Sequence, residues 1–356
     1  MPADLHADAR KSPRVAGLAT AVPPNLVTQA EAKDFARGFF GDALPGIDRL
    51  LTAFGRAGIE RRHLARPPEW YVQPRSFPEK NEVYQEAATA LAEEAAEQAI
   101  ERSGIDRREL GSVVFVSTTG IAKPTLDGRL IQRLGLAGTV HRAPLWGFGC
   151  AGGAAGLAHA ATLVRGTGRP ALLVSVELCS VTFMHGDRSK ANLIATALFG
   201  DGAAAAVVAL DGEGPLLLRG HSHLLEDSED VMGWSLEPNG LRVVFSRHIP
   251  TIVHDILPSV VDEATAAGGL RPADLRHHVF HPGGTKVLDA FADALDMDPD
   301  GFALAREILR DYGNMSSPTV LFVLERFVER SPPGGDPGLL LALGPGFSAE
   351  SVLFRW

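Results

Sequence analysis

Cys150 is one of only two cysteines in 356 residues, and its surroundings set it apart from the other. The segment Trp146-Gly147-Phe148-Gly149-Cys150-Ala151-Gly152-Gly153-Ala154-Ala155-Gly156 predicts a sharp turn into a helix that runs to about Val164. That helix is nearly all Ala, Gly, Leu and Val, so burial on every side is expected. Gly152, Gly153 and Gly156 each forfeit about 1 kcal/mol of helix propensity relative to Ala, which close backbone approach would offset. A thiol in the first turn meets unpaired N–H groups and the positive end of the helix dipole, both of which favour thiolate. Such a sulfur attacks thioesters. A packed apolar cysteine is the alternative at either position, and it is the reading taken for Cys179 in the apolar Glu177-Leu178-Cys179-Ser180.

Two further polar side chains stand at the ends of predicted elements. His281 follows a short strand, His277 to Phe280, and Asn314 precedes a helix read as Ser317 to Glu329. Taken singly, a histidine after a strand is commonly a hydrogen-bonded structural residue, and Asn before a helix is commonly a cap. What raises both above these readings is their occurrence in one chain with Cys150.

The elements that must gather them alternate along the chain. Arg14 to Val22 reads as a buried strand stopped by Pro23 and Pro24, and Glu31 to Phe54 as helix broken at Pro45. Arg66 to Asn81, with four prolines, reads as an ordered loop, Val83 to Ser103 as a strong helix, and Gly111 to Ser117 as a strand buried on both faces. This alternation predicts an α/β fold. Gly104-Ile105 with Glu109-Leu110 is repeated, 165 residues later, by Gly269-Leu270 with Asp274-Leu275. Cys150 and Asn314 lie 164 apart, and Leu172 and Leu339 lie 167 apart. Matches near one offset, in order, predict a duplicated unit with the reactive groups at the seam. Chance likeness between α/β segments is the alternative.

The chain is too long for one small core, which stops growing beyond roughly 250–300 residues. Its 45% hydrophobic and 22% charged residues suit a globular protein. A net charge of -9 argues against nucleic acid or an anionic membrane as main partner. Met1 to Arg14 is polar and resembles no leader, and no apolar run reaches the roughly 20 residues that span a bilayer, so a cytoplasmic location is expected. Two distant cysteines and no Cys/His cluster point to neither a disulfide scaffold nor a metal site, and no cofactor is expected.

Five motifs then stand in register. Gly149-Cys150-Ala151-Gly152-Gly153, Phe199-Gly200-Asp201-Gly202-Ala203-Ala204, His281-Pro282-Gly283-Gly284, Gly313-Asn314-Met315-Ser316-Ser317 and Gly344-Pro345-Gly346-Phe347 resemble, in order and spacing, the chalcone synthase superfamily of type III polyketide synthases. The similarity runs from Pro13 to Trp356. It implies a thiolase-like duplicated fold with α-β-α-β-α layers, in halves 1–212, carrying the cysteine, and 213–356, carrying the histidine and asparagine. It implies a homodimeric acyltransferase in which Cys150, His281 and Asn314 are catalytic and acyl-CoA and malonyl-CoA are the substrates, with no carrier protein. By position, Phe199 and Phe245 match two gatekeeping phenylalanines, and Thr118, Thr119, Thr182 and Ser316 match cavity-lining residues. Arg56, Arg61, Arg62, Arg247 and Lys286 fall where CoA contacts are expected.

One departure bears on the substrate. Lys123 stands where plant chalcone synthases have methionine, in a loop that in the family reaches the partner's cavity. The stretches Glu69-Trp70-Tyr71, Ser76 to Asn81 and Lys190 to Ile194 look like bacterial alkylpyrone synthases, which use long-chain acyl-CoA and form pyrone or resorcinol rings. The rivals are a β-ketoacyl carrier-protein synthase III, a cysteine hydrolase, and a silent CoA-ester scaffold.

Overall fold

The computed structural model describes residues 12–330 and 334–356, so the first eleven residues of the polar N-terminal stretch lie outside it. The first half opens with β1 (Arg14–Ala21), β2 (Asn25–Thr28), helices α1 (Gln29–Phe40) and α2 (Ile47–Arg56), β3 (Arg61–Leu64) and the short α3 (Pro68–Val72). It continues with α4 (Phe77–Ser103), β4 (Ser112–Val116), α5 (Leu126–Arg133), β5 (His141–Leu145), α6 (Gly152–Thr167), β6 (Ala171–Leu178), α7 (Lys190–Leu198) and β7 (Asp201–Ala209). The second half holds β8 (Leu216–Leu224), β9 (Met232–Glu237), β10 (Gly240–Phe245), α8 (Ile249–Ala266) and β11 (His277–Phe280). Helices α9 (Thr285–Ala294), α10 (Ala303–Tyr312) and α11 (Thr319–Glu329), then β12 (Pro337–Gly344) and β13 (Ser348–Arg355), complete the chain.

Nine strands form one sheet in the order β11-β12-β13-β8-β1-β7-β6-β4-β5. Read outward from its middle, β1-β7-β6-β4 is mirrored by β8-β13-β12-β11, and in each half the outermost of these pairs is parallel while the others are antiparallel. Only β5 has no counterpart. The halves meet at one residue pair, Arg14–Leu216. Helices α6 and α11 pack between them, α4 covers β1, β7 and β6 on one outer side, and α8 covers β8 and β13 on the other. The result is the α-β-α-β-α layering that duplication predicts.

Composition explains the close layers. Ala88, Ala92, Ala95, Ala96 and Ala99 of α4 are fully buried against the Ala203–Ala206 run of β7 and the neighbouring β1. Small side chains let helix and sheet approach to native packing density, and at Gly17 a methyl group would collide with the Ala99 carbonyl. Helix α4 begins six residues before the expected Val83. Ser76 Oγ accepts the Glu79 N–H while the Glu79 carboxylate accepts the Ser76 N–H, and Pro78 occupies the first turn. This capping box and proline start a helix inside a stretch whose prolines suggested a loop. The loop also contains α3.

Candidate active site

Cys150 sits in a single 3-10 turn, Gly149–Ala151, and α6 starts only at Gly152, so the thiol lies just ahead of the α-helix rather than within its first turn. The turn is wedged under the Gly344–Phe347 corner, where Gly149 (φ +48°) leaves 2.7 Å between its missing methyl and Pro345. His281 continues β11, its N–H donating to Leu341 of β12 at 2.8 Å. Asn314 is fixed by main-chain bonds, its N–H donating to Leu198 and its carbonyl accepting from Gly200, in a parallel bridge to Phe199. It does not cap α11, which starts at Thr319. Its Oδ1 instead accepts the Ser316 N–H at 2.7 Å, holding a turn in which Ser316 takes φ +61°.

The structure brings the three side chains to one cavity of about 590 Å³. Asn314 Nδ2 donates to Gly283 of the His281 loop at 3.1 Å, and Cys150 Sγ lies 4.0 Å from Asn314 Oδ1. Both ring nitrogens of His281 are buried without a partner among the described residues, which leaves them to a ligand. Burial pushes the Cys150 thiol up to about 11 and the His281 imidazole down to about 3, because each charged form alone would lose its water. Burial thus opposes the thiolate and the imidazolium when each is taken alone, against the helix-dipole effect that favours the thiolate. Moving one proton from sulfur to imidazole creates both charges together, and their attraction in a dry cavity offsets the desolvation each suffers alone.

Glu177 was not among the expected site residues, although a lone acid in the apolar strand Leu172–Leu178 was a signal. Fully buried, it accepts the N–H groups of Thr118 and Thr119, the Thr119 hydroxyl and the Ser317 hydroxyl, all at 2.8–3.0 Å. Burial raises its carboxyl to about 7. Through it the end of β4, the end of β6 and the approach to α11 share one anchor.

Phe245 lines the large cavity, while Phe199 lines a second of about 100 Å³ between α1, α7 and β10. Their rings lie 5.7 Å apart and tilted, with Trp234 6.5 Å beyond Phe199, so they form a partition. Thr182 lines the second cavity, and Thr119 lines a third of about 10 Å³. Thr118 is buried with its hydroxyl unpartnered.

Arg56, Arg247 and Lys286 line the large cavity, joined by Arg49 and Lys190. Arg49 lies two helical turns before Arg56 on one face of α2, a spacing the sequence offered. Arg61 and Arg62 are not there. Arg61 pairs with Asp311 at 3.1 Å. Arg62 is 1% exposed and donates to the carbonyls of Thr196, Ala197 and Phe199. Its guanidinium is internal scaffolding, because strand alternation at β3 turns it inward while Arg61 faces out. Among the described residues no cluster of three or more His, Cys, Asp or Glu could hold a metal, and no helix is long and apolar enough to cross a membrane.

That the two halves of a doubled sheet each deliver part of one thioester-sized cavity places the protein among the condensing enzymes of thiolase-like fold. Residues 6–212 match the N-terminal domain of the chalcone and stilbene synthases and residues 217–356 their C-terminal domain. The chain belongs to this family: it is a type III polyketide synthase, an acyltransferase that condenses malonyl-CoA. It is 40% identical to a 1,3,6,8-tetrahydroxynaphthalene synthase of Streptomyces peucetius subsp. caesius, over 99% of this chain and 96% of that protein. It is 29% identical to an alpha-pyrone synthesis polyketide synthase-like protein of Mycobacterium tuberculosis, over 96% and 90%. The solved 1,3,6,8-tetrahydroxynaphthalene synthase of Streptomyces coelicolor A3(2) superposes with a TM-score of 0.92 at 29% identity, over 97% and 99% of the two chains.

Proposed function

We propose that the enzyme transfers a long-chain acyl group from CoA to Cys150, extends it with malonyl-CoA and closes the chain into an alkylpyrone or alkylresorcinol-type product. The observation that carries this reading is the passage beyond Phe199. Its walls include Val27, Ala32, Phe35, Leu64 and Phe183, and its rim includes the exposed Glu31, Pro68 and Arg242. Apolar walls with an exposed rim suit an alkyl chain.

In this reading Cys150 gives its proton to His281 and attacks the acyl-CoA carbonyl, and CoA leaves. Malonyl-CoA loses CO₂, N–H donors of His281 and Asn314 hold the enolate oxygen, and the carbanion attacks the Cys150 thioester. Phe199 and Phe245 separate the CoA side from the chain side, with Thr118, Thr119, Thr182 and Ser316 around the chain. Arg56, Arg247 and Lys286, with Arg49 and Lys190, bind CoA phosphates. The halves are 1–212 and 213–356, the enzyme is cytoplasmic, and it needs neither cofactor nor carrier protein. It acts as a homodimer through the exposed edge strand β5 and Trp146, which is 58% exposed.

The similarity to tetrahydroxynaphthalene synthase favours a second reading, a tetrahydroxynaphthalene product. Mass spectrometry of products from malonyl-CoA, alone or with acetyl- to long-chain acyl-CoA, separates the two. Alkylpyrones or alkylresorcinols that carry the added alkyl chain are expected. A product formed from malonyl-CoA alone at full rate overturns the long-chain reading, and a requirement for acyl carrier protein overturns the malonyl-CoA route.

A further inference from the structure

Lys80 is a buried cation with no anion paired to it among the described residues. It lies in the first turns of α4, is 5% exposed, and its ammonium donates to the Phe183 carbonyl at 3.2 Å. The surrounding elements offer it no carboxylate. Glu79 is tied to Ser76, Glu177 to Thr118, Thr119 and Ser317, Asp187 to the Ser189 N–H, and Glu237 to Arg242. Burial pushes the ammonium down to about 8. A desolvated charge near a helix N-terminus, where the dipole is also positive, is costly.

The ammonium has been given room. Gly240 (φ +136°) opens β10, and a methyl group there would lie 2.8 Å from Nζ. Lys80 shares the 10 Å³ cavity with Thr119, Thr182 and Leu241, and the last two also line the chain passage. That volume holds about one oxygen atom.

We infer that Lys80 forms an oxyanion site on the wall of the chain passage and that its ligand is the enolate of the β-dicarbonyl segment of the extended, Cys150-bound chain. This rests on the proposed function above. Two malonyl extensions place a β-diketone next to the thioester, and its enolate oxygen is the nucleophile of pyrone closure. The step balances within the site: His281 takes the proton lost on enolisation, the enolate oxygen attacks the thioester carbonyl, the C–O bond forms, the C–S bond breaks, and His281 returns that proton to the Cys150 sulfur. Lys80 favours the enolate by charge, and no covalent bond to Nζ forms.

The test uses nonane-2,4-dione, followed by its ultraviolet enolate band as a function of pH, bound to Cys150→Ala protein with and without Lys80→Met. The bound diketone should ionise about one pH unit or more lower, at least tenfold, when Lys80 is present. Lys80→Met should also raise Tm by a few degrees, because an unpaired buried charge is replaced by an apolar chain of similar shape. Equal ionisation in both proteins, no binding to Cys150→Ala, or a mass adduct of the diketone on Lys80 would overturn the inference. A lower Tm, the signature of a lysine balancing another subunit's carboxylate, would do the same. Because the probe carries no acyl-CoA starter, failure of the long-chain reading in the product assay leaves this result intact.

Discussion

Alanine at Gly153 sets two effects on α6 against each other. The added methyl raises helix propensity by about 1 kcal/mol. It would also collide with the Ser317 carbonyl oxygen and lie 2.7 Å from Val320 Cγ1, where ordinary carbon contacts need about 3.5–4.0 Å. The approach to α11 must therefore withdraw by roughly 1 Å, an overpacking that costs about 1–3 kcal/mol, so the net loss of stability should be about 1 kcal/mol. The catalytic loss should be larger, because Ser317 anchors Glu177 and Asn314 lies three residues upstream. A displacement of about 1 Å in such a site typically lowers rate by about 10². Urea unfolding and malonyl-CoA decarboxylation measure the two effects. Gly166→Ala is the internal control, since a methyl there meets nothing within 4 Å on the same helix; it should gain up to about 1 kcal/mol with activity intact. If Gly153→Ala kept wild-type turnover, the claim that close approach of α6 and α11 positions the site would be wrong.

Other consequences can be checked alongside. Asn314→Ala should still load starter on Cys150, visible as an acyl adduct by mass spectrometry, yet lose about 10²–10³ in malonyl-CoA decarboxylation; wild-type decarboxylation would refute the donor role. Arg56→Glu should raise the KM for malonyl-CoA about tenfold and leave stability unchanged. Arg62→Ala should do the reverse, since it strands three buried carbonyls at about 1–3 kcal/mol each. Glu177 has a folded pKa of about 7 against an ordinary 4.5, so the folded state binds more protons between those values. Stability should fall by roughly 3 kcal/mol as pH rises through that window and level off above it. Glu177→Gln should flatten the fall, leaving the smaller contribution of Asp201, raised to about 6.

Much of this molecule was legible from residues alone. The cysteine turn was readable because three glycines in an apolar helix make sense where neighbours come close: Gly153 meets the Ser317 carbonyl, and Gly152 and Gly156 meet the side chains of Val116 and Leu173. Duplication was readable because strand and turn residues recur at one offset. What stayed hidden depends on direction and environment. Arg61 and Arg62 are indistinguishable as letters, yet strand alternation sends one to solvent and buries the other. The ionisation of Cys150 could not be read from its place before a helix, because it depends on how much water reaches the sulfur. Lys80 fell in the proline-rich stretch read as a loop, and the letters did not show that Gly240 of β10 and the Phe183 carbonyl meet its ammonium.

The main-chain bridge between Phe199 and Asn314 has a consequence for redesign. An aromatic divider and the amide proposed to hold the enolate oxygen share one rung of backbone, so they move as a unit. Enlarging the product space by shifting the chain near residue 199 will slow condensation, whereas trimming the Phe199 side chain alone changes volume without disturbing the rung. Selectivity and speed can thus be tuned separately only by edits that stop at the ring.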